Sequence, residues 1–333
     1  MSRFPPNIQE EETRLSKLKI INMEDIETKE VEWLWYPYIP YGKITIIQGD
    51  PGEGKTTVVL KLAALLSNGE PLPYDDRERD PINIIYQTAE DGLNDTIKPR
   101  LVEANADCTK IKVIDESTQA LSMVDERLEQ AIVETKARLV ILDPIQAYLG
   151  TDINMNVANE TRSVMSKLGS IADKYSCAII LIGHMNKGGS KASYRGLGSI
   201  DFQAVARSVL IVGRLKDNPE IRVIAQGKSS LAPEGDSIAF ELSKETGFRF
   251  LGKYDITADD LLNGIQKDNK SQLAEQLLNE LLADGKRPQS EIMSIAKEHR
   301  ISKRILDEVK KNMYIKSLKI GNKWYWELIK SDS

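Results

Sequence analysis

No stretch of this chain limits its possible folds more than Gly49-Asp-Pro-Gly-Glu-Gly-Lys-Thr56, which fits the pattern G-x-x-x-x-G-K-[ST]. It follows an apolar β-branched run, Ile44-Thr-Ile-Ile-Gln-Gly49, and opens a helical pattern. Glycines in such a loop let the backbone wrap closely round phosphates, so that successive N–H groups and the next helix N-terminus face the anion. Phosphate contact is therefore assigned to Gly49, Asp50, Pro51, Gly52, Glu53, Gly54, Lys55, Thr56 and Thr57. Lys55 is expected to reach the β- and γ-phosphates and the Thr56 hydroxyl to take magnesium, which makes ATP and Mg2+ the expected ligands.

Beyond the loop, short β-branched runs alternate with helical patterns, as a parallel sheet with crossover helices requires. Strands are predicted at 44–49, 82–88, 111–115, 138–143 and 178–184, and helices near 55–67, 92–104, 124–136 and 157–175. Most of these strands are apolar without alternation, the pattern of burial on both faces. Two further runs, Arg207-Ser-Val-Leu-Ile-Val-Gly-Arg214 and Glu220-Ile-Arg-Val-Ile-Ala-Gln226, read as an antiparallel hairpin at the sheet edge. The expected fold class is α/β.

A length of 333 residues predicts two domains, one large and one small. Four segments are expected: an arm with an aromatic stretch over 1–42, the ATPase-like core over 43–255, a polar linker over 256–270, and a small domain over 271–333. In the arm, the aromatics of Trp33-Leu-Trp-Tyr-Pro-Tyr-Ile-Pro-Tyr41 either pack on the core or serve a subunit contact. The small domain reads helix (271–283), helix (289–298), helix (302–312), hairpin, the order of a winged helix-turn-helix. Its third helix buries Ile301, Ile305, Leu306 and Val309, while Lys303, Arg304, Lys310 and Lys311 lie outside that stripe. This face suits DNA, although Asp307 and Glu308 interrupt it and leave a solvated or protein-binding face equally open.

The net charge of −5 gives no global sign of nucleic-acid binding, but residues 266–333 carry +4 and the rest −9. Two cysteines, Cys108 and Cys177, and two histidines, His184 and His299, argue against a disulfide framework and a zinc site. No apolar run approaches a membrane span and the start lacks a signal-peptide layout, so no membrane association and a cytoplasmic location are expected.

Three further side chains fit triphosphate chemistry. Asp143 ends the buried run Arg138-Leu-Val-Ile-Leu-Asp143, where a carboxylate meets the metal shell, though an Asp before Pro144 can also form a turn. Glu90 follows the 82–88 strand, placed at the sheet edge next to the phosphate loop, and can position the attacking water or merely charge a helix N-terminus. His184 ends another core strand and can sense the γ-phosphate, or act as a hydrogen-bonded structural residue. After it comes a glycine-bearing loop whose Lys187, Lys191 and Arg195 suit DNA phosphates or simply solvent.

With these residues placed, roughly residues 30–330 resemble RecA-like ATPases of the RepA type, hexameric helicases of plasmids, phages and mobile elements. The resemblance rests on VEWLWYPYIPYGKITIIQGDPGEGKTT, YQTAEDGLNDTIKPRL, LVILDPIQAYLG, IGHMNK and YRGLGSIDFQAVARSVL, in that order. It implies a RecA-like P-loop NTPase core with a C-terminal winged helix, Glu90 as catalytic glutamate, Asp143 as Walker B ligand and His184 as γ-phosphate sensor. It further implies that Arg207 is an arginine finger acting in a neighbouring subunit, with a structural ion pair as the alternative. Lys228 is similar to the lysine of a Lys-x-Arg element in DnaB-type and RadA-type motors, but Ser230 stands where that arginine would be. The resemblance thus implies a ring, single-stranded DNA as partner, and replication proteins as possible partners of the winged helix. Expected functions are a replicative DNA helicase or translocase, a recombination or loading ATPase without unwinding, or a nucleotide-controlled DNA-binding regulator.

Overall fold

The computed structural model describes residues 20–150, 153, 157–185, 200–216, 218–263, 267–299 and 301–328. The chain divides into two units, 1–31 and 32–333. In the first, the described residues are exposed and hold one 3-10 turn, Met23–Asp25.

The second unit opens with a short antiparallel ribbon of β1 (Trp33–Trp35) and β2 (Ile39–Pro40). Its aromatics pack on the core: Trp35 and Tyr38 are buried, Trp35 Nε1 donates to the Pro73 carbonyl at 2.9 Å, and Tyr38 donates to the Asp236 carbonyl at 2.6 Å.

The chain then alternates: β3 (Ile44–Gly49), α1 (Lys55–Asn68), β4 (Asn83–Thr88), α2 (Lys98–Glu103), β5 (Ile111–Lys112), α3 (Glu126–Thr135), β6 (Ala137–Asp143), α4 (Ala158–Tyr175) and β7 (Ala178–His184). A short α5 (Ile200–Val205) leads into four sheet strands, β8 (Ser208–Arg214), β9 (Ile221–Ser229), β10 (Ser237–Ser243) and β11 (Gly247–Tyr254). The nine-stranded sheet has the order β11-β10-β9-β8-β3-β7-β6-β4-β5, parallel from β8 to β5 and antiparallel from β8 to β11. This is the RecA-like P-loop NTPase core.

Burial explains the unalternating strands. Ile44, Ile46, Ile85 and Val140 join a core with α3 and α4, while Ile47, Ile84, Leu139 and Ile141 join another with α1 and α2. Successive residues point to opposite faces, and here both faces are dry.

Four expectations need correction. The 207–226 hairpin is not at the edge: β8 is hydrogen-bonded to β3, and β10 and β11 extend the sheet beyond β9. β4 is not next to β3, because β7 and β6 lie between them. The strand expected at 111–115 is reduced to Ile111–Lys112, at the edge of the sheet, where no further strand among the described residues supplies partners. The helix expected at 92–104 begins as a π-helical turn, Leu93–Ile97.

After α6 (Ala258–Asn263), the C-terminal part contains α7 (Lys267–Leu282), β12 (Arg287–Pro288), α8 (Gln289–Glu298), α9 (Lys303–Asn312), β13 (Ile315–Ile320) and β14 (Lys323–Leu328). The three strands form their own antiparallel sheet, β12-β14-β13. Its separate core includes Leu278, Ile292, Ile305, Leu306 and Trp326.

Candidate functional site

The phosphate loop sits where β3 ends and α1 begins. Gly52 and Gly54 have φ of +78° and +88°, a region costly for side-chain-bearing residues. Gly49 is required for another reason: a Cβ there would come within 2.1 Å of the Val212 carbonyl oxygen on β8. No carboxylate occupies the first turn of α1, so the positive end of the helix dipole meets the loop uncompensated.

Lys55 is buried, and its Nζ donates to the Gly49 carbonyl (2.9 Å) and the Asp50 carbonyl (2.8 Å). It also lies 3.3 Å from His184 Nδ1. Burial pushes the ammonium below its ordinary value, and Asp143, Glu53, Asp50 and Glu90 oppose that shift. The parallel register pairs Gly49 with His184, which is why the imidazole reaches the loop. An ammonium can only donate, so Nδ1 is the acceptor in that contact. The other ring nitrogen, Nε2, lies 3.7 Å from Glu90 Oε2.

Glu90 is held between two fixed neighbours. The Ala89 N–H donates to the Asp143 carbonyl at 3.1 Å, and the Asp91 carboxylate pairs with Arg100 on α2 at 3.1 Å. The Glu90 side chain itself remains largely exposed, so it is presented from an anchored backbone. Asp143, at the end of β6, is buried and receives a 2.7 Å hydrogen bond from Thr56 Oγ1 and a 3.2 Å bond from the Tyr86 hydroxyl, both on Oδ2. Burial pushes its carboxyl up, and the two hydrogen bonds oppose this. Burial also raises the Tyr86 hydroxyl well above its usual range, so it serves as a donor.

Sequence reasoning missed Tyr86 and two arginines. Arg214, at the end of β8, donates its N–H and Nε to the two Glu53 carboxylate oxygens (2.5 and 2.8 Å) and its Nη2 to the Gly52 carbonyl (2.9 Å). Arg222, on β9, crosses the loop so closely that a Cβ at Gly54 would lie 3.1 Å from its Cδ, and its buried Nε has no hydrogen-bond partner among the described residues. One signal was available for Tyr86: a tyrosine in a doubly buried strand needs a partner for its hydroxyl. The arginines gave none, because the sheet order brings them to the loop from more than 150 residues away.

A glycine cradle, an orphaned guanidinium donor beside it and the Thr56–Asp143 oxygen pair fit a nucleoside triphosphate with magnesium. A cleft of about 380 Å³ adjoins the loop, bordered by Thr57, Lys61, Arg100, Leu242 and Phe248. A larger cleft of about 750 Å³ lies between the end of β11 and the C-terminal helices, away from the phosphate loop.

Arg207 and Lys228 lie elsewhere. The Arg207 N–H donates to the carbonyl of Ile44, at the start of β3, so it stands about 17 Å along the sheet from the phosphate loop. Its side chain is exposed and has no hydrogen bond or ion pair among the described residues. Lys228 Nζ caps the end of α5 by donating to the carbonyls of Gln203 (2.5 Å), Ala204 (3.2 Å) and Ala206 (2.8 Å). Lys303 and Arg304 start α9, while Lys187, Lys191 and Arg195 lie outside the described residues. Among the described residues no helix is long and apolar enough to cross a membrane.

Over 171 residues the chain is 28% identical to the DNA repair protein RadA of Halalkalibacterium halodurans, a match covering 50% of this chain and 33% of that protein. With RadA of Bacillus subtilis the identity is 28% over 157 residues, covering 46% and 30%. The match thus spans about a third of the length of these relatives. Among solved structures, the ATPase domain of G40P aligns with a TM-score of 0.49 and 15% identity, over 64% of this chain and 85% of that one. A family model described as an AAA domain matches residues 9–190, more than half of the chain, and so the chain belongs to the AAA domain family.

Proposed function

We propose that the chain hydrolyses ATP at a subunit boundary of a ring and uses the cycle to move along single-stranded DNA, as a helicase or translocase of the RepA type. The observation that carries the hydrolytic reading is one constellation at the C-terminal ends of four parallel strands. Lys55, His184 and Glu90 form a chain, and Thr56 and Asp143 share a hydrogen bond beside it.

In this reading the loop N–H groups and Lys55 hold the phosphates, and the nucleobase occupies the cleft beside Thr57. Thr56 and Asp143 hold magnesium, which when bound neutralises charge developing on the phosphates. Glu90 orients and deprotonates the attacking water. His184 bridges Lys55 and Glu90, so loss of the γ-phosphate changes what both ends of the imidazole meet. Lys55 now directs its three N–H groups at two loop carbonyls and His184 Nδ1 and must exchange at least one of these three for phosphate oxygen.

Arg207 is too far from its own loop to act there, which supports action in a neighbouring subunit. Lys228 is read as the fixed support of that region, because its donors are already used. Lys187, Lys191 and Arg195 are proposed to contact DNA in the central channel. Residues 271–333 are read as a winged helix and 43–255 as the core; the 256–270 segment between them, expected as a polar linker, carries α6, which packs on β8 and β9.

A loading or recombination ATPase without unwinding is the second reading, favoured by the similarity to proteins named for DNA repair. A strand-displacement assay on 5′- and 3′-tailed duplexes separates them. The motor reading expects ATP-dependent displacement on one substrate, and none on either favours the second.

A further inference from the structure

The two ends of α9 are used differently. At its start, Ser302 Oγ caps the Ile305 N–H (3.3 Å) and donates to Asp255 Oδ2 (2.7 Å), just past β11. Arg304 Nε lies 4.0 Å from the same carboxylate oxygen. The turn expected to meet DNA thus faces an acidic group of the ATPase core.

The other end opens onto solvent. Lys310 Nζ donates to Ser317 Oγ on β13 (2.6 Å) and sits 4.5 Å from the centre of the Trp326 ring on β14. The hairpin register pairs Ser317 with Trp326 and Lys319 with Trp324, so these four side chains share one face. Trp326 is buried, but Trp324, two residues nearer the turn, is 49% exposed. Lys319 Nζ lies 6.0 Å from the Trp324 ring centre. The one carboxylate of the two strands, Glu327, alternates to the opposite face and pairs with Lys316 at 3.2 Å.

We propose that this face of the hairpin is a single-stranded nucleic-acid contact, with Trp324 as stacking platform and Lys319 and Lys310 as phosphate-facing cations. Trp324 is half exposed and stands outside the buried core of the domain. With the Lys319 ammonium beside its ring, Lys310 over the neighbouring Trp326 and no carboxylate on this face of the two strands, it matches a polyanion whose bases present flat π surfaces. Base–aromatic stacking is sequence-tolerant and strong enough to hold a strand. An exposed β-hairpin leaves room for unstacked bases. The placement is independent of the ATP site and lies on the opposite end of α9 from Lys303 and Arg304.

The proposal rests on the reading that the chain works on DNA. Its test is the binding of a fluorescent single strand and a matching duplex, each about 20 units long, to the full chain at several salt concentrations. Trp324→Ala should weaken single-strand binding about tenfold, whereas Trp324→Phe should keep most of it. Lys319→Gln should weaken binding and lower the salt slope by about one. Lys316→Gln, on the opposite face, should change neither beyond about twofold, which separates a local contact from general charge. Single-strand binding unchanged in Trp324→Ala overturns the proposal while leaving the DNA reading intact. Equal losses on single strand and duplex overturn stacking in favour of backbone docking. If the unmodified chain binds neither, the DNA reading fails with it.

Discussion

One oxygen, Asp143 Oδ2, receives hydrogen bonds from both Thr56 and Tyr86, and that oxygen lies where magnesium would be held. Tyr86 can therefore fix the carboxylate when Thr56 turns to the metal. Tyr86→Phe keeps the packing and removes the donor. We expect magnesium-dependent nucleotide binding to weaken about tenfold, read by titrating metal against a fluorescent nucleotide. Equal metal affinity would make Tyr86 a packing residue only. At Gly49 the constraint is steric. Gly49→Ala forces a methyl into the Val212 carbonyl and should cost about 3 kcal/mol in denaturant unfolding, before any effect on nucleotide. Lys55 and Thr56 are legible from the phosphate-loop pattern, and the positions of Asp143 and His184 from the β-branched runs they end, because strand ends meet in one crevice. For Tyr86 the sequence shows only a hydroxyl that needs a partner; which partner depends on the strand that pairs with β4.

At the scale of elements, sheet order decides what the loop touches. β7 brings His184 to β3, β6 brings Asp143, and the antiparallel β8–β9 pair lays Arg214 and Arg222 over the loop. Alternating β and α patterns revealed the class of fold, but pairing order is non-local and left no trace in the strands' own residues. Strand residues alone therefore put β8 at an edge and β4 beside the loop, whereas the sheet puts β8 against β3 and β4 two strands further away. Two strands of the large sheet with no counterpart among the expected ones, β10 and β11, are interrupted by polar residues (Glu241 and the serines of β10; Arg249 and Lys253 of β11) and so lack the continuous runs of the inner strands. The Arg214–Glu53 pair is partly exposed and contributes little to stability. Its weight is on loop shape, so Arg214→Ala should raise the KM for ATP about tenfold while shifting unfolding by no more than about 1 kcal/mol. A large stability loss with an unchanged KM would reverse that assignment.

For the whole molecule, the separation of Arg207 from its own phosphate loop is the main argument for assembly. An arginine finger contributes several powers of ten to phosphoryl transfer only when it reaches the triphosphate. Arg207→Ala and Glu90→Gln subunits should each be nearly inactive alone and should regain part of the activity when mixed, because each supplies what the other lacks. Mixtures no more active than their parts would remove the trans role. Such an arrangement could not be read from periodicity, since a single chain's pattern contains no neighbour. The resemblance suggested it, and the distance within one chain supports it.

The motor reading requires the phosphate loop to be a working hydrolytic site. The most direct test is phosphate release from ATP by the unmodified chain and by Lys55→Ala, with magnesium and single-stranded DNA present. Steady turnover that falls at least about a hundredfold in the variant is the predicted result. Hydrolysis that persists in Lys55→Ala, or that is absent from the unmodified chain, would contradict the account.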